Sequence, residues 1–271
     1  NYTLTMNFNN IRAIKGWDFS YNDPDPNDNY GHGTHVASTI VGRDTGVANK
    51  ATVVGIKVLS DSGSGSTSNV IKGIEWAVNH SIQNNKCGII SMSLGGSKSS
   101  ILNDAVNNAV DKGLNVIVAA GNNADDACKY SPASAKKAIT VGSTTIIDSI
   151  SSFSNRGKCI DIFAPGSSIY GAWRTSDNAY TTLSGTSMAT PHVAGALAIY
   201  LNKYGCNASI SEFLSYTTNN KLTGIPPDTV NKLVQINFNV KCPSPRSVSY
   251  CHYTTNKRIR SKVSCKTKKY C

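Results

Sequence analysis

The chain reads as an α/β fold, a mainly parallel central sheet covered by helices on both faces, and three observations carry that reading. Buried-type apolar runs alternate with stretches of helical period, as they do where helices cross between parallel strands. One C-terminal helical stretch is apolar nearly all round, so it belongs inside the molecule. Hydrophobic residues make up 39% of 271 residues and charged residues 16%. That composition excludes a disordered, collagenous or coiled-coil chain.

The elements follow in order. Thr52–Leu59 predicts a buried strand, and Ser68–Asn84 predicts a helix with Val70, Ile71, Ile74 and Val78 on one face. Cys87–Leu94 predicts the next strand, Ile101–Lys112 a helix and Leu114–Ala120 a third strand. Thr190–Tyr204 is the all-apolar helix, through Val193, Ala194, Ala196, Leu197, Ile199 and Tyr200. No apolar run approaches the roughly 20 residues that span a bilayer. Ligands of doubly wound sheets bind at the carboxyl ends of strands, which is where chemistry is sought.

The net charge of +11 divides by position. Residues 241–271 hold nine Lys or Arg and no acid, while residues 1–240 carry 18 basic against 16 acidic side chains, a balance of +2. Basicity of that kind belongs to a tail and not to a nucleic-acid-binding body. The eight cysteines divide in the same way, four in the tail (Cys242, Cys251, Cys265, Cys271) and four before it, with no C-x-x-C pair. Sequons stand at Asn1, Asn79 and Asn207. Cysteine usage and sequons together predict a secreted, oxidised and glycosylated monomer. Residues 1–240 are read as one domain and 241–271 as a basic Cys-rich extension. The extension is either a disulfide module for anionic polysaccharide or membrane surface, or a solvated tail.

Three segments could carry chemistry. In Gly31-His32-Gly33-Thr34-His35-Val36-Ala37 the small residues let a helix start close to a neighbour, with His32 in its first turn. Alone, such a histidine is usually structural, and no further ligands suggest zinc. In Gly185-Thr186-Ser187-Met188-Ala189-Thr190-Pro191-His192 the serine stands where a turn enters the buried helix. The helix's positive end would stabilise negative charge there, although a lone Ser at that place also reads as an N-cap. In Ala119-Ala120-Gly121-Asn122 a side-chain amide could donate to an oxyanion, or could close its own turn.

Taken together and in this order, these segments resemble the subtilisin-like serine proteases, most of all their proteinase K and aqualysin branch. The likeness extends over about residues 6–238, including Ile56-Lys57-Val58-Leu59, Ser93-Leu94-Gly95-Gly96, Tyr130-Ser131-Pro132-Ala133 and Phe153-Ser154-Asn155. The resemblance implies a three-layer subtilisin-like fold, His32 as general base, Ser187 as nucleophile and Asn122 as oxyanion donor, with His35 and His192 structural. It also implies that Gly63-Ser64-Gly65 and Ser93-Leu94-Gly95 pair with an extended peptide substrate as added strands. Gly95, Gly96, Ala119, Ala120 and Gly121 would wall a first pocket with no acid at its floor, accepting apolar or aromatic side chains.

The family's structural calcium would fall on Asp161 with the carbonyls of Lys136 and Ala138. The acidic stretch Asp18–Asp28 reads as a second ion site or, more simply, a solvated loop. Cys128 and Cys159 match a family disulfide, which the chain-entropy treatment values at roughly 3–4 kcal/mol. Cys87 resembles a cysteine whose partner lies far upstream, and Cys206 matches no family position. The family's catalytic aspartate, in an apolar strand before Thr-Gly or Ser-Gly, finds no match ahead of His32, and no acid of Asp18–Asp28 stands in its place. The expectation is therefore a protease, made with a propeptide, whose aspartate strand is encoded upstream. This chain by itself would be severely impaired. The alternative is a catalytically dead relative that binds extended peptides, or anionic surfaces through its tail.

Overall fold

The computed structural model describes residues 12–84, 86–238, 248–253 and 263–268. Its elements are β1 (Ala13–Asp18), α1 (His32–Val41), β2 (Val53–Lys57), α2 (Thr67–Asn84), β3 (Ile89–Met92), β4 (Gly96–Ser97), α3 (Ser100–Asp111) and β5 (Asn115–Ala119). There follow β6 (Tyr130–Ser131), β7 (Ile139–Thr144), β8 (Ile162–Pro165), β9 (Ile169–Ala172), β10 (Tyr180–Leu183) and α4 (Thr186–Tyr204). Then come α5 (Ile210–Phe213), β11 (Thr218–Asn219), β12 (Lys232–Leu233), β13 (Val248–Tyr253) and β14 (Val263–Lys268).

The central sheet has the order β11-β12-β8-β7-β5-β3 and is parallel from β12 to β3, with β11 antiparallel at the edge. β7 is buried throughout and β5 nearly so, as expected for strands with helices on both faces. On one face α4 presses Ala189, Val193, Ala194, Ala196 and Leu197 onto Ile117, Ile139, Val141 and Ile162. On the other, α2 and α3 bring Val70, Ile74, Leu102, Val106 and Ala109 against Val116, Val118 and Met92. The expected three-layer subtilisin-like α/β fold is present.

Among the described residues the sheet does not continue from β2 to β3. β1 and β2 form a separate parallel pair, while the six-stranded sheet ends at β3. Val58, just after β2, and Met92 of β3 nevertheless share one core cluster, with Ile56 and Ile90 packed on it. Residues 89–91 of β3 are only partly buried.

Two sequence expectations require correction. The helix expected over Thr190–Tyr204 begins four residues earlier, at Thr186, so Ser187 lies in its first turn and Gly185 at the cap position, without a side-chain cap. Cys87 pairs with Cys206 and not with an upstream cysteine, their Cα atoms 5.2 Å apart. The Cys128–Cys159 bridge expected from the family is present, with Cα atoms 5.4 Å apart. The Cys87 bridge closes 119 residues, worth roughly 5 kcal/mol by chain entropy, and ties the end of α2 to the end of α4.

The acidic stretch is not uniformly solvated either. Asp18 is 1% exposed and paired with the equally buried Lys57 at 3.3 Å, which fastens β1 to the end of β2. Asp28 is 3% exposed, and Asp25 pairs at the surface with Lys15. Among the described residues no helix is long and apolar enough to cross a membrane. The side chains of the basic extension and the sequon at Asn1 lie outside the described residues, although β13 and β14 pair antiparallel from Val248↔Lys268 to Tyr253↔Val263.

Candidate active site

A cleft of about 570 Å³ opens beside the start of α1, and its lining contains His32, Gly63, Ser64, Gly65 and the run from Ser93 to Gly96. The sequence-predicted histidine and both predicted peptide-binding segments therefore meet at one place. Ser93 follows the carboxyl end of β3 and Asn122 follows that of β5, the strand ends at which this class of sheet binds ligands.

His32 is held there by the local sequence. Gly31 sits at φ +106°, and a Cβ on it would lie 2.6 Å from the ring of Trp173, so only glycine fits this helix entry. The buried Asp28 carboxylate accepts from the Tyr30 N–H (3.1 Å), the Gly31 N–H (2.7 Å), and both the Thr34 N–H (2.7 Å) and hydroxyl (2.8 Å). Both Asp28 oxygens are thus spent on the N-terminus of α1, where a negative charge belongs. Among the described residues no carboxylate bonds the His32 ring. Burial, first among several causes, pulls the His32 pKa down to about 4, with the Asp28 charge opposing the shift.

The other two histidines are placed differently. The His35 Nε2 contacts the Ile169 carbonyl at 3.0 Å and the His192 Nδ1 the Met188 carbonyl at 2.8 Å. Neither lines the cleft.

Ser187 faces the cleft segments from the first turn of α4. Pro191 has no N–H, so the Ser187 carbonyl four residues before it loses its helical donor. The Ser93 hydroxyl supplies one, donating to that carbonyl at 2.7 Å. In return the Ser187 hydroxyl donates to the Ser93 carbonyl at 3.4 Å. The proline that would break the turn thereby couples Ser187 to a cleft segment.

Asn122 is joined to the same turn. Its Oδ1 accepts from the Thr186 N–H (2.8 Å) and hydroxyl (2.9 Å), and the Thr186 hydroxyl accepts from the Gly121 N–H (3.1 Å). The oxygen end of the amide is therefore occupied and the NH₂ end is the one left to donate outward. The Ser187 N–H is among the first four of α4, which lack intrahelical acceptors. Thr186 was not singled out in the sequence as a site residue. Its signal was its place between the glycine cap and the serine.

The pocket walls are only partly as expected. Gly95 and Gly96 are exposed, and a Cβ at Gly96 would meet nothing within 4 Å. Ala119 and Ala120 are buried, at 6% and 0% exposure, and with Gly121 they are not among the residues lining the cleft.

The residues of the implied calcium site can be tested for fit. Asp161 Oδ2 accepts the Thr140 N–H at 2.8 Å, and the Asp161 N–H donates to the Thr140 carbonyl at 3.0 Å. That pairing sets the carboxylate two residues beyond Ala138. Burial pushes the Asp161 pKa up, against the Thr140 hydrogen bond and the charge of Lys232. The half-buried Asp161 carboxylate is an oxygen donor of the kind a hard cation takes. Among the described residues no three His, Cys, Asp or Glu side chains gather to hold a metal, but a site of one carboxylate and two carbonyls needs no such cluster.

Comparison with known proteins agrees with this geometry. The family model described as "Subtilase family" matches residues 4–232. The chain is 50% identical over 228 residues to "Alkaline serine exoprotease A" of Vibrio alginolyticus, covering 82% of this chain and 41% of that protein. It is 52% identical over 193 residues to "Extracellular serine proteinase" of a Thermus species, covering 71% of this chain and 46% of that protein. It thus spans about half the length of the curated relatives it matches, or somewhat less. The crystal structure of a cold adapted subtilisin-like serine proteinase superposes with a TM-score of 0.78 at 46% identity, covering 84% of each chain. The chain belongs to the subtilase family of serine proteases.

Proposed function

We propose that the protein is a secreted serine endopeptidase of the proteinase K and aqualysin branch, acting through an acyl-enzyme. One observation carries the reading: His32 and both predicted peptide-binding segments line one cleft, Ser187 is hydrogen-bonded to Ser93 of that lining, and Asn122 is hydrogen-bonded to Thr186 beside Ser187. The Ser187 Oγ attacks the scissile carbonyl carbon while the His32 imidazole takes its proton. The oxyanion of the tetrahedral intermediate receives the Asn122 NH₂ and the Ser187 N–H at the positive end of α4. The intermediate collapses as His32 returns the proton to the leaving amine, and water then releases the acyl group by the same route.

Extended substrate adds to the half-buried to exposed residues 63–65 and 93–95, so main-chain bonds give affinity for any sequence. The open space at Gly96 and the absence of an acid in the cleft lining favour apolar or aromatic side chains. The acid that orients His32 is supplied by a strand encoded upstream of residue 1. The spent oxygens of Asp28 support this, as does the break in the sheet between β2 and β3.

Asp161, Lys136 and Ala138 would hold a structural calcium ion, which would bind the β7 entry to the start of β8 and take no part in the chemistry. Asn79 and Asn207 are exposed and suited to carry N-glycans. Residues 241–271 would bind anionic polysaccharide or membrane surface. The alternative, a dead relative that only binds peptides, gains no specific observation.

The Asn122→Ala variant tests the role of the amide. Its kcat on an apolar peptide anilide is expected to fall roughly 10²–10³-fold with KM nearly constant, the magnitude known for the corresponding donor of a subtilisin. Equal kcat in the variant and the parent would refute the oxyanion assignment.

A further inference from the structure

We infer that Asn155 is a positioning residue for catalysis, holding the turn that presents the Asn122 amide; the inference rests on the serine-protease reading above. Asn155 is fully buried. Its Oδ1 accepts the N–H groups of Asn123 (2.9 Å) and Asp125 (3.1 Å), and its Nδ2 donates to the Ala120 carbonyl (2.8 Å). Its own N–H donates to the Gly121 carbonyl at 3.0 Å. One residue therefore bonds positions 120, 121, 123 and 125 and leaves 122 to the reaction.

The turn needs such a partner. After β5 the residues from Gly121 to Asp125 belong to no strand or helix, so their backbone groups have no ladder to satisfy them. Gly121 sits at φ +101°, and a Cβ there would clash with the Asn155 amide, so the backbone passes directly over it. The neighbours of Asn155 continue the clamp, with Phe153 accepting from the Ala124 N–H (2.9 Å) and the Arg156 N–H donating to Asp125 (2.9 Å). Asn155 fixes the backbone of the turn from below, and Thr186 fixes the Asn122 Oδ1 from the side of α4. The outward NH₂ is then determined at both ends, as a preorganised oxyanion donor requires. A shift of about 1 Å in such a group costs on the order of 10² in rate.

Asn155 does not line the substrate cleft, so its loss should be felt in kcat and not in KM. The test uses purified native protein and its Asn155→Ala, Asn155→Asp, Asn122→Ala and Asn155→Ala/Asn122→Ala variants, assayed on a peptide anilide with active sites titrated. The expected result for Asn155→Ala is a kcat lowered about 10- to 100-fold with KM within about 2-fold. In the Asn122→Ala background the same change should cost less than about 3-fold, because the donor it positions is already gone. Amide hydrogen exchange at Asn123 and Asp125 should quicken in Asn155→Ala.

Asn155→Asp keeps both accepted bonds and replaces the donor to Ala120 with an oxygen that repels that carbonyl unless protonated, so it should retain slow exchange at Asn123 and Asp125 and an intermediate kcat. It carries the test if the alanine variant does not fold. A kcat unchanged by either substitution, or a loss that persists in full without Asn122, overturns the inference while the protease reading stands. A native parent that neither reacts with a fluorophosphonate nor cleaves the anilide overturns both.

Discussion

Replacing Ser187 by Ala should lower kcat by about 10⁶, and replacing His32 by Ala should cost about the same, with the double variant no worse than either. The magnitude is that of a subtilisin; the assignment to these two residues rests on the family resemblance, with His32 in the cleft lining and Ser187 hydrogen-bonded to Ser93 at its edge. A nucleophile and the base that takes its proton act as a unit, because the one is useless without the other. Non-additivity therefore separates a catalytic pair from two independent structural residues, whose losses would multiply. Ser187 also lies in the hydrogen-bonded turn that Ser93 completes; alanine retains the backbone carbonyl that accepts from the Ser93 hydroxyl and loses only the long 3.4 Å bond from the Ser187 hydroxyl. The variant should fold with unchanged melting temperature, so lost activity can be read as lost chemistry. Residual activity within 100-fold of the parent would remove Ser187 from the nucleophile's role.

The second large effect follows from the proposal that an upstream acid orients His32. Burial holds its imidazole near a pKa of about 4. A carboxylate bonded to the ring would stabilise the imidazolium and raise that value. Native protein with its orienting acid in place should accordingly show the acid limb of kcat/KM well above pH 4. Below the limb activity falls tenfold per pH unit as the base becomes protonated. Protein made of residues 1–271 alone should keep a neutral His32 down to about pH 4, yet run about 10⁴ slower, the subtilisin value for loss of the acid. Its stability should fall with pH in the same window. The unfolded chain binds a proton near pH 6.5 and the folded His32 only near 4, so between those values protons favour unfolding. Full activity from residues 1–271 alone, with the limb near pH 4, would show that no orienting acid is needed.

Much of this was legible from the residues because the determinants are local. The buried strands β5 and β7 are rich in β-branched residues, and α4 is apolar nearly all round, so burial and element type follow from a few neighbours. The start of α4 was not legible, because Pro191 reads as a first-turn proline after Thr190. Only the fold shows a proline inside the helix, its missing donor replaced by a Ser93 hydroxyl brought from 94 residues away. The Cys87–Cys206 pairing was hidden for a similar reason. Its separation of 119 residues carries no sequence signal, and the family likeness suggested an upstream partner instead. Asp18 and Asp28 sit in what reads as an acidic surface loop, and burial by Lys57 and by the entry of α1 is a tertiary outcome. Asn155 stood in a motif that marked the family, but its bonds run to backbone groups about 30 residues earlier, which no periodicity reveals.

The central claim is that Ser187 is a nucleophile activated within the cleft, and covalent labelling tests it most directly. Natively purified protein is treated with a fluorophosphonate, and its intact mass and modified peptide are determined, with the Ser187→Ala variant alongside. The account predicts one adduct per molecule, on Ser187, abolished in the variant and slowed at pH values that protonate His32. Folded native protein that remains unlabelled, or that is labelled equally without Ser187, would contradict it.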